Sequence, residues 1–369
     1  MISKIYLVGG NLYPNRVGGY EVFNYYLSAS LNEKYILTVV NRLKKVKNYP
    51  ALNYVKILDV EPSVILAPFQ YLLYFLFLKD KKRSLIFISY SRSRWPNWWI
   101  YPLMRKYLGI KYLVVIHGGG LTKWDWKYIH YKFLQRAERV IGVSDRICRE
   151  YQERSGREVI YIPPLLPFKK YEGDAILVKN KFGIVSDSKI ILSVGSLKPL
   201  KNPQTIIEVA GILGIEYLIT HSLYFVFAGD GVMKDELIKK SELLGVKEHI
   251  RFLGNVKREV IPALYSIADI FIIGSDYEGT PLSLLEAMYN SLIVLGSDVQ
   301  GINHTIRHNS NGFLFKLKDY KALAGLITEI LKMPAGNQLE LRQNARQTID
   351  NKYSYKAMLD KYTEIITGL

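Results

Sequence analysis

Glu278 and Glu286 stand eight positions apart, astride the turn-forming residues Gly279, Thr280 and Pro281. The run before them, Ile270-Phe271-Ile272-Ile273, is wholly apolar and closes at Gly274-Ser275, as a buried strand would. Leu282 to Tyr289 reads as a helix, with Thr280 as its N-cap and Pro281 at its first helical position. Glu278 then lies in a strand-to-helix loop, and Glu286 lies about one and a half turns into the helix. Open α/β sheets take ligands beyond the carboxyl ends of their strands, and helix N-termini favour anions. A phosphate bound at this turn would have a carboxylate on each side.

The arrangement resembles the E-x7-E motif of the retaining family 4 glycosyltransferases (glycosyl transferases group 1), which have the GT-B fold. Flanking segments extend the resemblance: Ala268-Asp269, Glu286-Ala287-Met288, Gly296-Ser297-Asp298-Val299-Gln300-Gly301 and Asn311-Gly312-Phe313-Leu314. Upstream, Val194-Gly195-Ser196-Leu197 with Lys201-Asn202, Ala228-Gly229-Asp230-Gly231 and Phe252-Leu253-Gly254 follow in the family's order. Gly18-Gly19-Tyr20-Glu21 and His117-Gly118 carry a weaker likeness in the N-terminal half. The resemblance implies an α/β protein of two Rossmann-like domains whose parallel sheets face each other across a cleft. It implies a UDP- or GDP-linked nucleotide sugar held by the C-terminal domain and an acceptor, lipid-linked or glycan, taken by the N-terminal one. A hexose-type sugar would move with retention of configuration, without a cofactor or a required metal. Glu286 corresponds to the ribose-binding carboxylate, and Glu278 to the residue beside the donor sugar. Lys201 corresponds to a phosphate-binding lysine, and His117 to a histidine that meets the sugar. Gly18 and Gly19 let backbone approach the phosphates, while the Thr280-Pro281-Leu282 turn, with Gly279 before it, offers helix N-terminal amides to the donor. Ser196 departs from the pattern, since the family usually has an arginine there, and serine lacks the bidentate charged grip of a guanidinium. Either Lys198 reaches back to replace it, or Lys201 and the helix neutralise the phosphates unaided.

Other chemistries are poorly served. His117-Gly118-Gly119-Gly120 also suits a hydrolase oxyanion loop, but no G-x-S-x-G elbow accompanies it. There is no Walker A lysine motif and no full G-x-G-x-x-G; no Asp-x-Asp pair suggests a metal-held diphosphate. Cys148 is the single cysteine, which rules out a disulfide framework and reads as a small buried hydrophobe. Two alternatives stay open: a nucleotide-sugar epimerase or phosphorylase of the same fold, and a membrane-associated binding protein without turnover.

The elements that must position these residues alternate. Ile5–Val8, Tyr35–Val40, Leu85–Ile88, Tyr112–Ile116 and Val140–Val143 read as buried strands in the first half. Ile190–Val194, Tyr224–Ala228, Ile250–Leu253, Ile270–Ile273 and Leu292–Leu295 do so in the second. Helix-length segments between them imply parallel sheets. Pro163-Pro164-Leu165-Leu166-Pro167 is the expected linker, which sets domains at 1–167 and 168–350, with a last helix in 351–369 crossing back to the first. Residues 1–168 hold 26 Lys and Arg against 11 Asp and Glu, most of the chain's net charge of +17, and all five tryptophans. That combination suits an anionic membrane surface better than nucleic acid, for which no zinc-finger spacing or aromatic RNA-binding signature is present. Val64–Leu78, free of charge but short for a span, reads as a helix packed on the sheet or partly facing lipid. Arg92-Ser93-Arg94-Trp95-Pro96-Asn97-Trp98-Trp99 reads as a contact for lipid or acceptor. With no signal-peptide pattern, the expectation is a cytoplasmic protein, peripheral on the inner face of the cell membrane.

Overall fold

The apolar runs of both halves form parallel strands. A computed structural model of the protein describes residues 2–8, 19–41, 56–59, 67–90, 99–117, 130–164 and 167–369. In the first half these hold β1 (Lys4–Val8), β2 (Ile36–Asn41), β3 (Lys56–Asp59), β4 (Ser84–Tyr90), β5 (Lys111–Ile116), β6 (Arg139–Gly142) and β7 (Ile160–Tyr161). In the second they hold β8 (Lys189–Val194), β9 (Leu223–Ala228), β10 (Ile250–Phe252), β11 (Ile270–Ile273), β12 (Ile293–Ser297) and β13 (Phe313–Phe315). The first sheet runs β3-β2-β1-β4-β5-β6-β7 and the second β10-β9-β8-β11-β12-β13. Every pairing within both is parallel. Strand order therefore reverses between β1 and β4 in one sheet and between β8 and β11 in the other, and such switch points are where α/β sheets bind ligands.

Both faces of the second sheet are buried, which explains why its strands read as unbroken apolar runs rather than alternating ones. Ile191, Phe225, Phe227, Ile270, Ile272, Ile293 and Leu295 enter one core. Their chain neighbours Ile190, Leu192, Val226, Ala228, Phe271, Ile273 and Val294 enter another. The chain divides into two compact units, Met1–Pro167 with Tyr355–Leu369, and Phe168–Ser354. Met358, Tyr362 and Ile366 of the last helix, Tyr355–Thr367, are part of the first unit's core. There Tyr362 packs its ring 5.9 Å from Phe87 and 6.2 Å from Phe23.

Two local expectations change. The helix Leu282–Tyr289 begins as the apolar spacing predicts, but its N-cap is Pro281, with ψ of 110°, and no side chain caps it. Thr280 therefore lies one residue outside the cap. The turn is shaped by tertiary packing instead: at Gly301, with φ of +98°, a Cβ would fall 2.3 Å from the Glu278 carbonyl oxygen. Of Val64–Leu78, the helix occupies Ala67–Leu76 and buries only one side, with Tyr71 and Phe75 in the core.

Candidate functional site

β11 ends at Ile273, and the chain turns through Ser275 and Asp276 to Glu278, whose side chain is almost entirely buried. A buried carboxylate must be paired or hydrogen-bonded. Here Oε1 accepts from the Lys201 ammonium at 2.5 Å and from the Ser275 hydroxyl at 2.7 Å. Lys201 ends a short 3-10 turn, Pro199–Lys201, that follows β8. Two further bonds fasten that turn to the β11 loop: Asp276 N donates to Leu200 O at 3.0 Å, and the Asn202 amide donates to Asp276 Oδ1 at 3.0 Å. Asn202 adopts the left-handed conformation, with φ of 46°. The lysine and the glutamate thus meet at the β8–β11 switch point, with the ammonium the more exposed partner, at 36% against 8% for the carboxylate side chain.

Glu286 is buried on the helix that follows. Its two oxygens have different partners. The Arg258 guanidinium pairs with Oε1, and the Tyr265 hydroxyl donates to Oε2 at 3.0 Å. Burial pushes the Tyr265 phenol far above its ordinary range, so it remains a neutral donor. Between the two carboxylates runs the start of the helix, where the amides of Leu282 and Ser283 have no intrahelical acceptor. Two carboxylates, a partly exposed lysine and a helix N-terminus make a site that can accept hydrogen bonds from hydroxyls and neutralise an anion.

In the first unit, His117 directly follows β5. Its Nε2 is 2.8 Å from the Ser89 hydroxyl on β4, and its ring meets those of Phe23 and Tyr20 edge-on at 4.4 and 4.9 Å. Desolvation by these neighbours pushes the imidazole down to about 3, so it is neutral near pH 7. Tyr20 also donates to Ser89 O at 2.7 Å. It sits on the helix Gly19–Leu31, so the start of that helix and His117 come together, as ligand-facing residues of one sheet would.

Residues 175–348 match the family described as glycosyl transferases group 1. The C-terminal unit belongs to that family. An uncharacterised glycosyltransferase of Methanocaldococcus jannaschii is 30% identical over 257 residues, covering 64% of this chain and 62% of the relative. UDP-Gal:alpha-D-GlcNAc-diphosphoundecaprenol alpha-1,3-galactosyltransferase of Escherichia coli is 28% identical over 190 residues, covering 51% of this chain and 48% of the relative. The matches therefore span between about half and three-fifths of these relatives' length. Among solved structures, Anabaena HepE in complex with UDP and glucose aligns over 100% of both chains, with a TM-score of 0.81 and 16% identity. At that identity the likeness speaks for the fold, which is GT-B with two Rossmann-like domains.

Within the residues that match this family Glu278 and Lys201 are in direct contact, and Gly279, Thr280, Pro281 and Leu282 form the turn between Glu278 and the helix of Glu286. Ser196 follows Gly195 beyond β8; its carbonyl accepts from Lys198 N at 2.9 Å, and Lys198 is exposed. Gly19 opens its helix, while Gly18, Trp95 and Trp98 lie outside the described residues. Sequence reasoning missed Arg258, Tyr265, Ser275, Tyr20 and Ser89. Arg258 reads as one more surface charge in Gly254-Asn255-Val256-Lys257-Arg258, and Tyr265 as one more apolar helix residue. Cys148 is buried, with its thiol pushed up to about 11 by burial.

Proposed function

We propose that the chain is a retaining hexosyltransferase that moves a hexose-type sugar from a UDP- or GDP-linked donor to a lipid-linked or polysaccharide acceptor. The observation that carries this reading is the pair of buried carboxylates, Glu278 and Glu286, on either side of a helix start at the β8–β11 switch point. In the proposed reaction Glu286 accepts hydrogen bonds from the ribose hydroxyls, as an acceptor-only group suits. Charge builds on the leaving diphosphate while oxocarbenium character builds on the sugar. Lys201 turns its ammonium from Glu278 to the diphosphate, helped by the amides of Leu282 and Ser283. Glu278 then hydrogen-bonds the sugar or stabilises its positive charge. Neutral His117 hydrogen-bonds the donor sugar, and no metal is needed for the leaving group. The protein works peripherally, on the cytoplasmic face of the membrane. The lipid-linked acceptor is supported by the name of the Escherichia coli relative, and a uridine donor by the UDP and glucose bound to HepE.

Product analysis with a panel of nucleotide sugars tests the proposal, with the anomeric configuration read by NMR. Transfer with the donor's anomeric configuration preserved supports it. Inversion, epimerised donor, or phosphate-dependent cleavage without transfer would each sink it.

A further inference from the structure

The N-terminal unit leaves large apolar side chains exposed beside basic residues. The helix Ala67–Leu76 carries no charged residue, and Gln70 is its one amide among apolar and aromatic residues. Tyr71 and Phe75 enter the core, while Phe69, Leu73, Leu76 and Phe77, at positions i, i+4, i+7 and i+8, are 41–78% exposed. This helix touches the π-helical turn Met104–Leu108. The segment leading into that turn presents a second stripe at four-residue spacing, Trp99, Leu103 and Tyr107, which are 38–69% exposed. Seven large apolar side chains on two touching elements exceed what scattered surface residues explain and mark an interaction surface.

Cations flank both stripes. Lys79, Lys82 and Arg83 follow the first and are exposed, and Lys106 stands exposed within the second. The nearby acid Asp80 is bound by Lys4 at 2.5 Å. No residue from Val64 to Leu78 is charged. An apolar face with basic residues beside it is the signature of an element lying in a membrane interface. Among the described residues no helix is long and apolar enough to cross a membrane. A second copy of the chain is a poor occupant, because it would bring equally basic surface against this one.

We propose that this face docks on an anionic lipid bilayer. Phe69, Leu73, Leu76, Phe77, Trp99, Leu103 and Tyr107 enter the headgroup boundary, while Lys79, Lys82, Arg83 and Lys106 meet lipid phosphates. The face belongs to the other unit from Glu278 and Glu286, so lipid binding and nucleotide binding can be measured separately.

Flotation of the full chain with vesicles tests this. The wild type is expected to float with phosphatidylcholine vesicles containing phosphatidylglycerol, to stay behind with phosphatidylcholine alone, and to be released by salt. Leu73→Gln/Phe77→Gln should weaken binding by roughly tenfold or more, as lost apolar burial requires. Lys82→Glu/Arg83→Glu should weaken it by roughly fivefold or more per residue. All four positions are exposed, and thermal shift with UDP verifies each variant; Tyr107→Gln provides a second apolar test should the double variant misfold. Unchanged flotation of a folded apolar variant overturns the proposal, as does equal binding, or none, to the two vesicle types. A dimer in sedimentation equilibrium that Leu73→Gln/Phe77→Gln dissociates would overturn it too, by giving the face to a second copy.

Discussion

At the residue scale, the site depends on how Glu286 is held. Arg258 occupies one carboxylate oxygen and Tyr265 the other, so the carboxylate plane is fixed before any hydroxyl reaches it. Glu286→Ala should weaken binding of the nucleoside diphosphate by roughly 1.5–3 kcal/mol, the range for hydrogen bonds to a charged group. Tyr265→Phe should keep much of the affinity but reduce discrimination between ribo- and 2′-deoxyribonucleotides. Calorimetry with UDP and dUDP measures both. An Ala variant that still prefers UDP to dUDP as the wild type does would remove ribose from this carboxylate. The second residue-scale prediction concerns His117. Its ordinary pKa of about 6.5 in the unfolded chain falls to about 3 in the folded one. Above pH 6.5 the ring is neutral in both states and its environment costs nothing. As pH falls from 6.5 toward 3, only the unfolded chain gains the proton, so stability declines, by at most about 1.4 kcal/mol per pH unit. His117→Asn should flatten that decline. Urea unfolding at pH 7, 6 and 5 tests this, and equal slopes in the two proteins would contradict it.

At the element scale, legibility followed burial. The nine runs read for β1, β2, β4, β5, β6, β8, β9, β11 and β12 match strands in the structure, because central parallel strands are apolar on both faces; the run read for β10 also matches, although that strand lies at a sheet edge. Among the described residues the three missed strands, β3, β7 and β13, are all sheet edges, and they are only four, two and three residues long. Too few apolar residues are needed there to leave a periodic signal. The carboxylate spacing survived translation into structure because a strand end and a helix start fix it locally. Arg258 and Tyr265 were illegible because they reach Glu286 from elsewhere in the chain, across 28 and 21 positions. The one-residue error at Thr280 has the same origin, since Gly301 shapes the turn from outside. Gly301→Ala should therefore act twice. It should destabilise the C-terminal unit by roughly 1–3 kcal/mol through the strained backbone, and it should weaken nucleotide binding by displacing Glu278. Thermal unfolding with and without UDP separates the two effects. A variant with native stability and native affinity would show that the turn yields without consequence.

At the scale of the whole molecule, charge and chain order diverge in a way that has consequences. Most of the positive surplus lies in residues 1–168, yet that half does not complete its own core. Met358, Tyr362 and Ile366 arrive from the far end of the chain, after the entire Phe168–Ser354 unit. The N-terminal unit can then be finished only once the last helix has been made, and contacts so distant in sequence carry a loop-closure cost before they stabilise anything. Ile366 is fully buried. Its truncation to alanine should cost about 2–5 kcal/mol, the range for large-to-small changes in a packed core. The loss should fall on one unit alone. Hydrogen exchange read by mass spectrometry should show faster exchange in β1, β4 and the helix Gly19–Leu31, while β8, β9 and β11 keep native protection. Tyr362 gives the complementary variant. Among the described residues its hydroxyl is buried without a hydrogen-bond partner, and burial raises its pKa well above the ordinary range. Removing an unsatisfied polar group spares its desolvation cost, so Tyr362→Phe should leave the first unit as stable as before or more stable, by about 1 kcal/mol. If Ile366→Ala instead accelerates exchange equally in both units, the two do not unfold separately, and the last helix stabilises the chain as one cooperative body.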